Sequence, residues 1–151
     1  MAAIKPVIFK LSDMYFGVDI NKVIAIEQSG NVVPVPNAVD YVEGLINIRG
    51  EVIPVYNLKS KNGIKASVDG ANNEYILVWC KNEKLALSVD SVEDIKDVKD
   101  GNYQPLPIIC RGEKNAYIAG IAQLGGKLSI IIDVDRLLTK EELEGLSMIK
   151  D

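Results

Sequence analysis

Six carboxylates stand close enough along the chain to raise a catalytic or metal-binding question: Glu93, Asp94, Asp97 and Asp100, then Asp133 and Asp135. Paired acids can act as general acid and base, or hold a hard cation through oxygen. The spacing argues against both. Asp94, Asp97 and Asp100 recur every third residue rather than at the alternate positions of a calcium loop, with Lys96 and Lys99 interleaved, the pattern of a charge-balanced, solvated face. The chain has no histidine, which removes imidazole metal sites, His-dependent triads and imidazole acid–base chemistry. Cys80 and Cys110 lack metal-ligand spacing and sit among apolar neighbours, so each reads as a small buried hydrophobe in a reducing compartment. Gly125-Gly126 is a hairpin turn by pattern, not a phosphate cradle. Nucleophile, base and stabiliser never come together, so the expectation is a protein without catalytic, metal or cofactor residues.

A different kind of chemistry is offered by Arg49, one of three arginines, which stands immediately before Gly50. A planar, permanently charged group with five donors at a turn suits a carboxylate or carbonyl partner; a solvated charge or an internal ion pair is the other reading. The rest of the composition narrows the partners. With 17 Lys+Arg against 21 Asp+Glu in 151 residues, there is no basic stripe to release counterions from phosphates, and nucleic acid is not expected. No apolar run reaches the length of a membrane span, and Lys5, Pro6 and Lys10 interrupt the start where a signal peptide needs an apolar core. The expectation is a cytoplasmic protein without direct membrane insertion.

The elements that must position these residues read as mostly β. Strands are expected at Val7–Leu11, Tyr15–Asp19, Val23–Gln28, Val42–Ile48, Glu51–Leu58, Tyr75–Cys80, Lys84–Asp90, Ile95–Val98, Tyr117–Leu124 and Lys127–Val134. Pro54 implies an edge position or a bulge. A polar connection near 59–74, rich in Gly and Asn, is the candidate boundary between two halves of a single domain, 1–151. Asn37–Val42 suggests a helical turn, and Thr139 with Glu142 a capping box opening a short C-terminal helix. Tyr41–Leu58 matches Tyr117–Val134 at an offset of 76, and Val7–Lys10 matches Val78–Lys81 at an offset of 71. Two similar halves, each with strands enough for a small barrel, follow from that self-similarity. Gly50 and Gly126 fit the same turn, yet the residue before it is Arg49 in one half and Gly125 in the other.

The run Asn47-Ile-Arg-Gly-Glu-Val-Ile-Pro-Val-Tyr-Asn-Leu58, preceded by Pro36-Asn-Ala-Val-Asp-Tyr-Val-Glu-Gly44, resembles the signature of the CheW family of chemotaxis coupling proteins. Phe16-Gly-Val-Asp-Ile20, Val89-Asp-Ser-Val92 and Ile131-Ile-Asp-Val-Asp-Arg-Leu-Leu138 are similar to that family in order and spacing. The resemblance implies two five-stranded Src-homology-3-like barrels side by side. It also implies a non-catalytic adaptor linking the cytoplasmic tip of chemoreceptors (methyl-accepting chemotaxis proteins) to the regulatory domain of the histidine kinase CheA, recruited to membrane-associated receptor arrays. A coupling module for a surface-motility or developmental pathway is the alternative, and a carboxylate-based enzyme a weaker one. Carried over from the family, receptor-facing positions are Arg49 with Gly44 and Asn47, Ile20 and Val23 in a groove between the barrels, and Tyr75 and Ile95 further along it. For each apolar residue, barrel core is the competing reading. Asn57 stands where the family usually has Asp, and Lys59 where it commonly has Arg, so an ion pair between them would have lost its carboxylate.

Overall fold

The computed structural model describes residues 4–28, 30–36, 41–64 and 74–138, together with 142 and 144. Among them run eleven strands: β1 (Pro6–Leu11), β2 (Met14–Asp19), β3 (Val23–Glu27), β4 (Val42–Ile48), β5 (Glu51–Asn57), β6 (Glu74–Cys80), β7 (Glu83–Val89), β8 (Ser91–Ile95), β9 (Tyr103–Gln104), β10 (Ile118–Leu124) and β11 (Lys127–Ile132). Most match the expected strands within a residue or two. The exceptions are β8, which begins directly after β7 instead of at Ile95, and β9, whose two residues carry no alternation. The short helix α1 (Leu58–Lys61) replaces the end of the fifth expected strand, because the Asn57 carboxamide caps it by accepting from the Ser60 N–H at 3.0 Å. The expected C-terminal helix lies largely outside the described residues, of which Glu142 and Glu144 are helical; Asn37–Asp40 lie outside as well.

The strands form two sheets, β3-β6-β7-β5-β4 and β8-β1-β2-β11-β10-β9. Without β9 the two have one plan. A central antiparallel hairpin, β6-β7 or β1-β2, is flanked by a single strand on one side and by a parallel-paired second hairpin on the other. Tyr56 lies opposite Leu87 as Ile132 lies opposite Val18, and bulges fall at Val42/Gly44 and Ile118/Gly120, which confirms the offset of 76. The central hairpins correspond at 69 positions, not 71: their turns begin at Ser12 and Lys81, with φ of 56° and 55°. A slip of two keeps every side chain on its own face, so alternation could not detect it and only the turn could.

The halves are interleaved. The N-terminal hairpin β1-β2 joins the C-terminal hairpin β10-β11 through the pairing of β2 with β11, and β3–β7 lie between them in sequence. The polar connection near 59–74 therefore joins β5 to β6 within one barrel; the chain changes barrels at Ile20–Lys22 and at Asp90. Pro54 precedes the stretch of β5 paired on both sides, which starts at Val55.

Each sheet curls around a small interior. In the five-stranded one, Ala25, Ile46, Ile53, Val55, Leu77 and Ala86, drawn from all five strands, touch each other, which a flat sheet does not permit. The largest core lies between the barrels, where Phe9, Phe16, Val18 and Ile132 meet Tyr56, Ile76, Val78, Leu85 and Leu87. At about 1.5–3 kcal/mol per fully buried large side chain, this seam binds the two barrels into one stiff body. Two polar clamps close it. Asp90 accepts from the Ser12 N–H at 2.6 Å and pairs with Lys59; Asp135 accepts from the Lys81 N–H at 2.9 Å and pairs with Lys22 at 2.7 Å. Lys59 has thus found its carboxylate in Asp90, and Asn57 serves as a cap.

Candidate protein-interaction surface

The hairpin between β4 and β5 has a two-residue turn in which Arg49 (φ 54°) and Gly50 (φ 87°) are both left-handed, matching the twist of the flanking strands. Asn47 holds it closed by accepting from the Gly50 N–H at 2.9 Å. The equivalent turn in the other barrel uses Gly125 (φ 56°) and Gly126 (φ 79°). Arg49 is therefore an unfavourable residue where the sister turn has a permissive one, at a cost of about 1–2 kcal/mol. Its side chain is 78% exposed and reaches the Glu27 carboxylate at 3.3 Å, a contact worth ~0–1 kcal/mol. Packing does not account for an arginine here.

Glu27 ends β3, and β3 leads back from Arg49 to the other expected positions. Val23 and Ile20 are half-buried against the seam at its start, while Ile24 and Ile26 are each 38% exposed between them and Glu27. Ile20, Val23, Ile26 and Arg49 thus mark one edge of the five-stranded barrel, apolar along its length and cationic at one end. Gly44, in β4, is needed where the Val33 segment crosses it: a Cβ there would lie 2.2 Å from the Val33 carbonyl oxygen, where Val33 and Leu45 exchange backbone hydrogen bonds of 2.8 Å. Beside it, burial raises the pKa of the half-buried Glu43 carboxyl above its ordinary value.

Three expectations change. The space between the barrels is the packed seam rather than an open groove, so an apolar surface exists only at its rims. Tyr75 is 5% exposed inside the five-stranded barrel, because residues opposite Ser88 face that interior, and it presents no surface. Cys110 is exposed, whereas Cys80 is buried, donates to the Val134 carbonyl at 3.0 Å and has its thiol pushed up to about 11 by burial. Ile95 is exposed but belongs to β8 of the six-stranded barrel, opposite Val7, and is not joined to the β3 edge within a sheet.

Sequence reasoning missed the loop after β9. Ile108 and Ile109 are 80% and 93% exposed, the most exposed large apolar residues described. The loop is shaped by the Arg111 Nε donating to the Leu106 carbonyl at 2.6 Å and by the Asn115 carboxamide donating to that of Cys110 at 2.8 Å. Two isoleucines between Pro107 and Gly112, outside any alternating pattern, were the available signal. Three of the six acidic residues have partners of their own: Asp94 pairs with Lys96 at 3.3 Å, Asp133 caps the Asp135 N–H at 3.0 Å, and Asp135 pairs with Lys22, which together with the Lys81 N–H holds its carboxyl below the ordinary range; Asp97 and Asp100 are exposed.

A pair of fused barrels with separate exposed apolar surfaces defines a binding scaffold of the coupling type. The CheW-like domain family matches residues 5–142, and the chain belongs to that family of non-catalytic chemotaxis coupling proteins. It is 31% identical over 90% of its length to the chemotaxis protein CheW of Rhizobium meliloti, covering 88% of that protein. It is 29% identical to that of Treponema pallidum over 93% of its length and 85% of the relative's. The crystal structure of the scaffolding protein TtCheW from Thermoanaerobacter tengcongensis superposes with a TM-score of 0.82 at 28% identity, covering 93% of this chain and 96% of that one.

Proposed function

We propose that this protein couples the cytoplasmic tip of chemoreceptors to the regulatory domain of the histidine kinase CheA, and is recruited to membrane-associated receptor arrays by the first of these contacts. Receptor helices lie along the β3 edge, with Ile20, Val23 and Ile26 as apolar anchors and Arg49 as a polar clamp, the arrangement of a helix seated on an apolar stripe. Ile95 extends the receptor contact onto the rim of the other barrel, while Gly44 and Asn47 shape the edge and its turn. The kinase domain takes the loop carrying Ile108 and Ile109, on the other barrel. The observation that carries the reading is Arg49: an exposed cation held in a costly backbone conformation that its sister turn avoids. Signals pass between the two contacts because the seam joins the barrels that carry them into one body, a coupling of typically ~1–3 kcal/mol.

The test is an amide NMR titration of the labelled protein, first with a purified receptor-tip bundle and then with the kinase regulatory domain. The expected result is that the first addition shifts Ile20, Val23, Ile26 and Arg49, and the second shifts Ile108 to Arg111. If both additions move one shared set, or neither moves any, the two-face reading fails.

A further inference from the structure

At matching positions of one mouth, two carboxylates of the five-stranded barrel, Glu27 and Glu51, are replaced by lysines in the six-stranded one. In the five-stranded barrel, Arg49 reaches Glu27 at 3.3 Å, and Lys84 reaches Glu51 at 2.6 Å while lying over the Trp79 ring at 5.4 Å. The repeat puts Gly125 in the place of Arg49, Lys96 in that of Glu27, Lys127 in that of Glu51, Tyr15 in that of Lys84 and Lys10 in that of Trp79. The Tyr15 ring accordingly has Lys127 at 4.6 Å and Lys10 at 5.6 Å from its centre, and Lys127 donates to the Tyr15 hydroxyl at 2.8 Å. Among the described residues neither lysine forms an ion pair. Of the two carboxylates at the rim, Asp94 is engaged by Lys96 at 3.3 Å and by the Ile95 N–H at 2.7 Å, and Glu93 accepts from the Ser91 hydroxyl at 3.1 Å while its charge also acts on Lys127, with which it forms no direct ion pair. Where the sister barrel holds an arginine, this one leaves a cavity of about 380 Å³ whose lining includes Ile8 and Leu124, the cations Lys96 and Lys127 and the carboxylates Glu93 and Asp94, near the lower end of the range for small binding sites.

We propose that this mouth of the six-stranded barrel binds a short segment of a partner protein in which an acidic side chain stands beside a bulky apolar one. The apolar group seats on Ile8 and Leu124 in the space over Gly125, and the carboxylate pairs with Lys127. That completes across an interface the Glu–Lys pair which the sister barrel makes within itself between Glu51 and Lys84. The site lies apart from the β3 edge and from the Ile108–Ile109 loop but adjoins Ile95, which stands between its lining residues Asp94 and Lys96; a titration made without receptor or kinase tests it separately from the coupling function.

The test uses the acetylated, amidated pentapeptide Ser-Leu-Glu-Leu-Ser, titrated into the labelled full-length protein and followed by amide NMR. Saturable shifts are expected at Ile8, Tyr15, Gly125 and Lys127, with the Ser-Leu-Gln-Leu-Ser peptide binding about two- to fivefold more weakly, the size of effect an exposed ion pair gives. Gly125→Arg should abolish binding and still fold, because Arg49 adopts φ 54° against 56° for Gly125 and nothing lies within 4 Å of a Cβ there. Lys127→Glu should lose the preference for the acidic peptide. Equal affinity for both peptides, full binding by Gly125→Arg, or shifts elsewhere would overturn the proposal. Concentration-dependent shifts at these residues without peptide would make the occupant a second copy and overturn the assignment to a partner segment.

Discussion

Replacing Arg49 by glycine separates what the fold needs from what the partner needs. Glycine adopts φ 54° without the steric penalty an arginine has there, so the change relieves about 1–2 kcal/mol of backbone strain. Against this stand roughly 0.5–1 kcal/mol for ordering a glycine and at most about 1 kcal/mol for the exposed pair with Glu27. The expected stability change is within about 1 kcal/mol of zero, a shift of no more than about 2–4 °C in Tm for a chain of this size. Affinity for the receptor tip should fall far more. An exposed guanidinium acting as an interface anchor is worth about 2 kcal/mol or more, which is roughly a thirtyfold rise in Kd. Urea unfolding monitored by Trp79 fluorescence and calorimetric titration with the receptor-tip bundle give both quantities from one preparation. A loss of more than about 2 kcal/mol of stability would make Arg49 structural, and an unchanged Kd would remove it from the interface; either result refutes the reasoning.

Gly44→Ala should destabilise by about 3 kcal/mol or more, because the added Cβ would lie 2.2 Å from the Val33 carbonyl oxygen on a rigid backbone; urea unfolding reads this directly. The Asp135 carboxyl, held below its ordinary 3.8 by Lys22 and the Lys81 N–H, adds stability that is present above that value and lost as pH falls through its folded value. Asp135→Asn should therefore be less stable than the parent at pH 7, with the difference closing below about pH 4 in parallel acid titrations followed by fluorescence. Ile109→Ser removes a side chain that is 93% exposed, so Tm should stay unchanged while affinity for the kinase regulatory domain, measured by calorimetry, drops; a change in Tm with unchanged affinity would count against the loop as a docking surface.

The strand positions, the turn glycines and the exceptional status of Arg49 were legible in the sequence because each depends on a local rule: alternation, positive φ, or a difference between repeats. The sequence also carried an unused signal for the double burial of β6 and β7. Runs such as Tyr75–Val78 and Leu85–Val89 are apolar or small at every position, as strands covered on both faces must be. Which face meets which partner was not legible. Tyr75 and Ile76 have equal claims to an interior, and only the register places one inside its barrel and the other on the seam.

By itself, then, the sequence determined a mostly β chain with a repeated hairpin, turns that need left-handed residues, and one arginine that the backbone plan does not require. The tertiary structure decided that the repeats interleave, that Lys59 pairs with Asp90, that the space between the barrels is closed, and that Ile108 and Ile109 stand in solvent. The physical reason is separation along the chain. Period and turn chemistry act over a few residues, whereas β2 meets β11 across more than a hundred positions, and such pairings are chosen by burying the whole seam at once.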